Sequence, residues 1–283
     1  MGWAAERFDQ QADRFDRRAG VGVGVGRAVA HALLDVVSPG PDGVFVEIGA
    51  GTGEIGRHLA ARVHYLGVDR SRAMLEVFRA KESDDLDRAR VQLAQADAQR
   101  AWPVRDGTAT AVFASRAAHL LEPGHVVAEV RRVCRPGGFF LVGRIQRDPF
   151  GPRSRLRGQR QRLLRDRGIV VTDGGPATQS MLDGLVSCGA SRLDIRTVRR
   201  WRVGASPDRI LRGWAGMTTM GGVELASSTR GAVLEELREW ARREFGDLSA
   251  VREFTEAYTI DGVRVGGDAS SGGAGPATRI ARR

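Results

Sequence analysis

The sequence predicts an α/β fold: a seven-stranded, mostly parallel sheet flanked by helices, with an N-terminal helix and a helical insertion before the last strand. Three observations predict it. From residue 44 onward, short apolar runs alternate with amphipathic helical stretches, a pattern that means parallel strands joined by right-handed crossovers. The run Val44-Phe-Val-Glu-Ile-Gly-Ala-Gly-Thr-Gly53 passes through an acid directly into three alternating glycines. A second apolar run, residues 63–68, closes on Asp69. Together these put a ligand crevice at the carboxyl ends of two adjacent strands.

The elements follow in order. Phe8, Ala12 and Phe15 fall at i, i+4 and i+7, one face of a helix, within a repeated Phe-Asp pattern. The alternating glycines Gly20 to Gly26 follow no strand, so they do not make a phosphate loop. They read as a flexible or close-packed lead into a helix over residues 27–37. Pro39-Gly-Pro-Asp-Gly43 is a turn. Strand one is Val44–Ile48, a helix spans 54–62, and strand two spans 63–68. Ser71 caps a helix whose Met74, Leu75 and Phe78 share one face. Residues 91–94 and 110–114 are strands three and four. Val126, Val127, Val130 and Val133 mark a helix stopped by Arg135-Pro-Gly-Gly138, and 139–142 is strand five.

Beyond residue 150 the pattern changes. An arginine-rich helix, a Gly174-Gly-Pro176 turn and a helix with Met181, Leu182, Leu185 and Val186 precede strand six, residues 192–203. Ser206-Pro207 opens a helix with Ile210, Leu211 and Trp214 on its apolar face. A longer helix carries Val233, Leu234, Leu237, Trp240, Ala241 and Phe245, and 251–260 is the last strand. The chain thus divides into an N-terminal helical cover (1–40), a core (41–203 plus 251–261), a helical substrate lid (204–250) and a Gly/Ser/Ala-rich tail (262–283) without fixed structure.

With 283 residues, 42% of them hydrophobic, the chain can bury a sizeable core. No window approaches the ~18 uninterrupted apolar residues of a membrane span. The charged N-terminus lacks the apolar core of a signal peptide, so the expected location is cytoplasmic. Cys134 and Cys188 have neither CxxC nor Cys/His spacing, which speaks against a disulfide framework or a zinc site and for two buried thiols. The net charge is +10, and Lys81 is the sole lysine. Arginine is densest between Arg147 and Arg167, without aromatic residues interleaved for base stacking. That segment reads as a solvated helix. The sharper alternative is an anionic partner, a nucleic acid or a carrier protein with a phosphopantetheine arm.

The glycine turn admits two nucleoside cofactors. A dinucleotide needs GxGxxG starting directly off the strand, with its pyrophosphate on the helix N-terminus. Counted from Gly49, the third glycine position falls on Glu54, an anion facing a pyrophosphate. Gly51, Gly53 and Gly56 match formally but start two residues late. S-adenosyl-L-methionine carries a sulfonium and an ammonium and no phosphate, so the acid Glu47 beside the turn is favourable. Asp69 can accept from both ribose hydroxyls, and Asp97 with the Ala98 amide suits adenine.

Val46-Glu-Ile-Gly-Ala-Gly-Thr-Gly53 resembles the first motif of class I S-adenosylmethionine-dependent methyltransferases. Asp69 matches that family's acid after strand two, Gln95-Ala-Asp97-Ala98 looks like its adenine-binding stretch, and Arg132-Val-Cys-Arg-Pro-Gly-Gly138 is similar to its turn before strand five. The resemblance covers residues 44–143 and implies a Rossmann-like sheet. The cofactor set it implies is Glu47, Gly49, Ala50, Gly51, Gly53, Asp69, Arg70, Met74, Asp97, Ala98 and Ser115. The Phe/Asp-rich N-terminus looks like the bacterial quinone-, biotin- and natural-product-pathway branch. In that branch an N-terminal helix covers the cofactor and a helical insertion roofs the substrate.

Methyl transfer is an in-line displacement, so alignment and exclusion of water dominate. A hydroxyl nucleophile also benefits from a base. After strand four, His119 is the candidate base, against a packing role suggested by Leu120 and Leu121. Phe15, Arg18, Arg116, Trp214, Met217 and Tyr258 are the candidate substrate residues. No Asn/Asp-Pro-Pro-Tyr/Phe motif follows strand four, Cys134 is not at a nucleophile position, and no metal-ligand constellation stands out. The expected activity is O-methylation of a small hydrophobic acceptor, aromatic or carrier-bound. RNA methylation, and cofactor binding without methyl transfer, are the alternatives. Nothing in the sequence sets an oligomeric state.

Overall fold

The computed structural model describes residues 24–81, 90–171, 174–217, 219–220 and 223–266. Its first half runs α1 (Val25–Val37), β1 (Val44–Ile48), α2 (Gly56–Ala60), β2 (His64–Asp69), α3 (Arg72–Ala80), β3 (Val91–Gln95), β4 (Ala109–Ser115), a 3-10 turn (Ala118–Leu120), α4 (Pro123–Val133) and β5 (Cys134–Arg147). The second half runs α5 (Pro152–Arg165), α6 (Gly174–Ser187), β6 (Ser191–Arg192), β7 (Arg196–Ala205), α7 (Pro207–Ala215), β8 (Thr219–Met220), β9 (Val223–Glu224), α8 (Ser227–Phe245) and β10 (Arg252–Arg264). The predicted helix around Phe8 and Phe15 and residues 267–283 of the predicted tail lie outside the described residues.

The main sheet is ordered β3-β2-β1-β4-β5-β10, with β6 and β7 succeeding one another along the far side of β10. Eight segments therefore fill seven lanes, the number the sequence predicts. The first five strands are parallel, and β10 runs antiparallel to both its neighbours. The winding reverses between β1 and β4, so the crevice above their carboxyl ends is the ligand position of an open α/β sheet.

Strand alternation sorts the core into two layers. Phe45, Ala111, Phe113, Leu141, Tyr258 and Ile260 pack under α1 and α2. Val46, Ile48, Val112, Ala114, Phe140, Val142 and Val263 pack with α4 and α6. A third cluster, with Leu156, Ile210, Leu211, Trp214, Leu237 and Ala241, joins α5, α7 and α8 to one another.

The capping expectations hold: Met74 N–H donates to the Ser71 hydroxyl at 3.2 Å, and Arg209 N–H donates to Ser206 at 3.3 Å with Pro207 in the first turn. Gly26 is close-packed, since a Cβ there would lie 2.1 Å from the Glu54 carbonyl oxygen. Other expectations need correction. The helix predicted over 54–62 is the shorter α2. Strand six is interrupted at 193–195, next to a register slip between Tyr258 and Thr259. Gly262–Arg264, assigned to the tail, belongs to β10. There Gly262 lies opposite Leu141, and its missing side chain lets the backbone come close to the Phe140 carbonyl. The β8–β9 hairpin was not foreseen. Of the two cysteines only Cys134 is buried, its thiol pushed up to about 12 by desolvation, whereas Cys188 is exposed at the end of α6. Among the described residues no helix is long and apolar enough to cross a membrane, and no His/Cys/Asp/Glu group could hold a metal ion.

Candidate functional site

The site grows from the end of β1. Gly49 and Ala50 N–H groups both donate to the Val68 carbonyl, at 2.8 and 3.1 Å, which bends the chain over the tip of β2. Gly49, Gly51 and Gly53 all adopt positive φ, 76°, 55° and 76°, where glycine alone is at ease. Packing demands the outer two: a Cβ at Gly49 would lie 2.4 Å from Ala117 Cβ, and one at Gly53 would lie 2.4 Å from the Phe78 ring. At Gly51 a Cβ would meet only the Gly49 carbonyl, 4.0 Å away, so this residue opens onto free space.

Asp69 is held in place by that turn. One carboxylate oxygen accepts Gly51 N–H and the other accepts Ser71 N–H, both at 2.8 Å. Ala96 N–H donates to the Asp69 carbonyl at 3.0 Å, which draws the end of β3 alongside. Asp97 follows, accepting Gln99 N–H at 3.0 Å and lying 3.7 Å from the Arg70 guanidinium. Gly49, Ala50, Gly51, Gly53, Asp69, Arg70, Asp97 and Ala98 therefore line the tips of three adjacent strands.

Glu47 does not join them on the open side. It is only 2% exposed, and strand alternation turns it to the same face as Phe45, beneath the turn. There it accepts the Tyr65 hydroxyl at 2.6 Å. Burial, opposed by that hydrogen bond, pushes its carboxyl up to about 8, and burial raises the Tyr65 phenol as well. The expected direct contact between Glu47 and a cofactor is thus replaced by a supporting position under the glycines. The alternation of Phe45 and Glu47 was the available signal. Met74 is likewise buried, in the first turn of α3.

Beyond β4, Ser115 shares a 2.6 Å hydrogen bond with the Tyr258 hydroxyl. Tyr258 has no exposed surface, so it forms the floor of the site and not a pocket wall, and burial raises its phenol. Arg116 adopts φ 58°, a strained conformation for a long side chain. Its guanidinium donates to Glu54 at 2.8 Å, which links the loop after β4 to the end of the glycine turn. His119 rides on the 3-10 turn. Its side chain reaches solvent, yet neighbouring atoms crowd the ring. Desolvation, reinforced by the Arg157 charge from α5, lowers its pKa below 6.5. Trp214 is buried in the helical cluster with Met217 at its margin. Phe15 and Arg18 lie outside the described residues.

Two positioning residues escaped the sequence reading. Lys81 donates to the Thr52 carbonyl at 3.1 Å, fastening the glycine turn to the end of α3; its being the sole lysine was the signal. Gln99 donates to the Leu120 carbonyl at 2.9 Å and accepts Glu122 N–H at 3.1 Å, tying the Asp97 loop to the His119 turn. Neither composition nor spacing marks Gln99.

The family comparison falls on the part of the chain that carries this site. Residues 46–142 match a family described as a methyltransferase domain. The chain is 33% identical over 140 residues to a ubiquinone/menaquinone biosynthesis C-methyltransferase of Acidiphilium cryptum, covering 48% of this chain and 56% of that one. It is 29% identical over 122 residues to an uncharacterized 37.1 kDa protein in a transposon of Streptomyces fradiae, covering 41% and 34% respectively. The chain thus spans about half or less of the curated relatives it matches. Among solved structures, the YcgJ protein of Bacillus subtilis matches with TM-score 0.52 at 20% identity, covering 84% of this chain and 98% of that one. The [4+2]-cyclase SpnF matches with TM-score 0.55 at 16% identity, covering 93% and 95%.

Proposed function

We propose that residues 46–142, which match a methyltransferase domain, form a class I S-adenosylmethionine-dependent methyltransferase domain, and that the chain transfers a methyl group from S-adenosylmethionine to an oxygen of a small, mainly hydrophobic acceptor. The observation that carries the cofactor reading is the turn itself: Gly51 opens onto free space beside Asp69, whose two oxygens are aimed by backbone N–H groups. Asp69 and Asp97 stand at the tips of adjacent strands, acceptors suited to ribose hydroxyls and an adenine amine. Asp69 would accept from the ribose hydroxyls, and Asp97 with the Ala98 amide would meet adenine.

When bound, S-adenosylmethionine supplies an activated methyl group on a sulfonium, already an excellent leaving group. The protein's task is then alignment and dehydration. Ser115, fixed by Tyr258, and Arg116, fixed by Glu54, set the edge of the site after β4. His119 is the proposed base. Its lowered pKa leaves the imidazole neutral at pH 7, able to take a hydroxyl proton. The helices of residues 204–250, with Trp214 and Met217, are read as the acceptor's cover. The fold alone does not dictate the reaction, since a [4+2]-cyclase shares it.

Calorimetry tests the reading. S-adenosylmethionine should bind and NAD(H) should not; the reverse would sink it. Asp69→Ala should lose cofactor binding. His119→Ala should keep it while turnover falls by roughly 10²-fold. In the native chain kcat/KM should decline as pH drops below 6.5, where His119 takes up its proton, and the variant should lack that limb. Unchanged turnover in His119→Ala would leave proximity as the sole catalytic device.

A further inference from the structure

The arginine-rich helix α5 is two-sided. Arg153, Arg157 and Arg160 recur at i, i+4 and i+7, and Arg162 falls on the opposite side at about 100° per residue. On the outer side Arg155 pairs with Glu244 of α8, and just past the end of α5 Arg167 pairs with Glu236 of the same helix. The other face is different. Arg153 senses Arg147 and Arg209, and the carboxylate acting on it, Glu256, already bonds Arg147 at 3.2 Å. Arg160 lies over the Trp214 ring at 4.4 Å, and its Nε is buried with no hydrogen-bond partner among the described residues. Arg157 lies close enough to His119 to act on its charge.

A partly buried guanidinium with charges of its own sign nearby is unfavourable unless an anion offsets it, and Arg160 is in that position. Here the consequence is visible: desolvation and the charges of Arg157 and Arg153 pull Arg160 down to about 10. Glu244 and Glu236 show that α8 places carboxylates beside this segment, yet among the described residues none pairs with Arg160. The Trp214 ring adds a flat apolar surface beside the charge. Guanidinium forks match carboxylate and phosphate oxygens in pairs.

We propose that the inner face of α5 binds an anionic group, a carboxylate or a phosphate, at one end of the acceptor, with Arg153 and Arg160 as its principal ligands and Arg157 between them and His119. The inference rests on the acceptor site proposed above and narrows it. The acceptor has an apolar body, an acidic end anchored on α5, and a nucleophilic oxygen toward His119.

The test is calorimetry on the full chain, with and without S-adenosylmethionine, using inorganic pyrophosphate, benzoate and neutral methyl benzoate as probes. At least one anion should bind and methyl benzoate should not; the tighter of the two anions distinguishes phosphate from carboxylate recognition. Arg153→Gln with Arg160→Gln should weaken anion binding by about tenfold or more. Arg162→Gln with Arg165→Gln, the same loss of charge on the outer side, should change it by less than about twofold. S-adenosylmethionine affinity should be the same in all three proteins. Equal losses in both double variants would overturn the proposal, since net charge alone would then account for binding. So would absent anion binding, or methyl benzoate binding as well as the anions. Failure of S-adenosylmethionine to bind while the anions still bind would strike the methyltransferase reading and leave the anion face standing.

Discussion

The chain around the glycine turn and the helices beyond residue 150 are built on different rules. In the first region, positions are fixed by backbone. Three glycines stand at positive φ, Asp69 is gripped by two main-chain N–H groups, and Lys81 holds a carbonyl. In the second region, side chains carry the structure. Leu156, Ile210, Leu211 and Trp214 pack together, and arginines meet either α8 carboxylates or an aromatic ring. Backbone-fixed geometry leaves few residue choices and so recurs in a recognisable motif. Side-chain packing accepts many solutions, which leaves the second region freer to vary.

The contrast can be broken or sharpened by substitution. The largest effect is expected from Gly53→Ala. A Cβ at φ 76° would collide with the buried Phe78 ring at 2.4 Å, a combination worth roughly 3–5 kcal/mol. Thermal unfolding should show the loss, and calorimetry should show cofactor affinity falling with it. Trp214→Ala comes next, at roughly 3 kcal/mol for a large buried side chain. Because it lies away from the turn, cofactor affinity should stay within about threefold; a larger drop would mean that the two regions are not independent. A third effect, confined to high pH, is expected at Glu47. Its carboxyl titrates near 8 in the folded chain against an ordinary 4.5. The folded state therefore keeps a proton that the unfolded chain releases, and stability falls as pH rises between those values. Glu47→Gln should raise Tm by roughly 5–15 °C at pH 8.5 and change little at pH 5. An equal shift at both pH values would show that desolvation of Glu47 is not the cause.

How much was legible in the sequence follows the same division. The crevice was readable because Gly49, Gly51, Gly53, Asp69 and Asp97 act on or through the main chain, and each constrains its own position. Glu47 was misplaced because the motif suggested a ligand contact while the alternation of β1 turns it under the turn, toward Tyr65. Tyr258 looked like a pocket aromatic, yet its partner Ser115 is 143 residues away, a distance no local pattern spans. The outer reach of β5 and β10 was underestimated because their extra residues are charged or glycine and are held by pairing, not by apolar periodicity. The arginines of α5 read as a uniform solvated run. Only the positions of α7, α8 and the 3-10 turn separate the side that meets α8 from the side proposed to bind an anion.

Ala205 and Arg252 are register partners on β7 and β10. The chain leaves the sheet at one and returns at the other, so to the sheet everything between them is equivalent to a single hairpin turn. This makes the segment a cassette. Its length is not set by the pairing of β7 with β10; what holds it in place is its packing on α5.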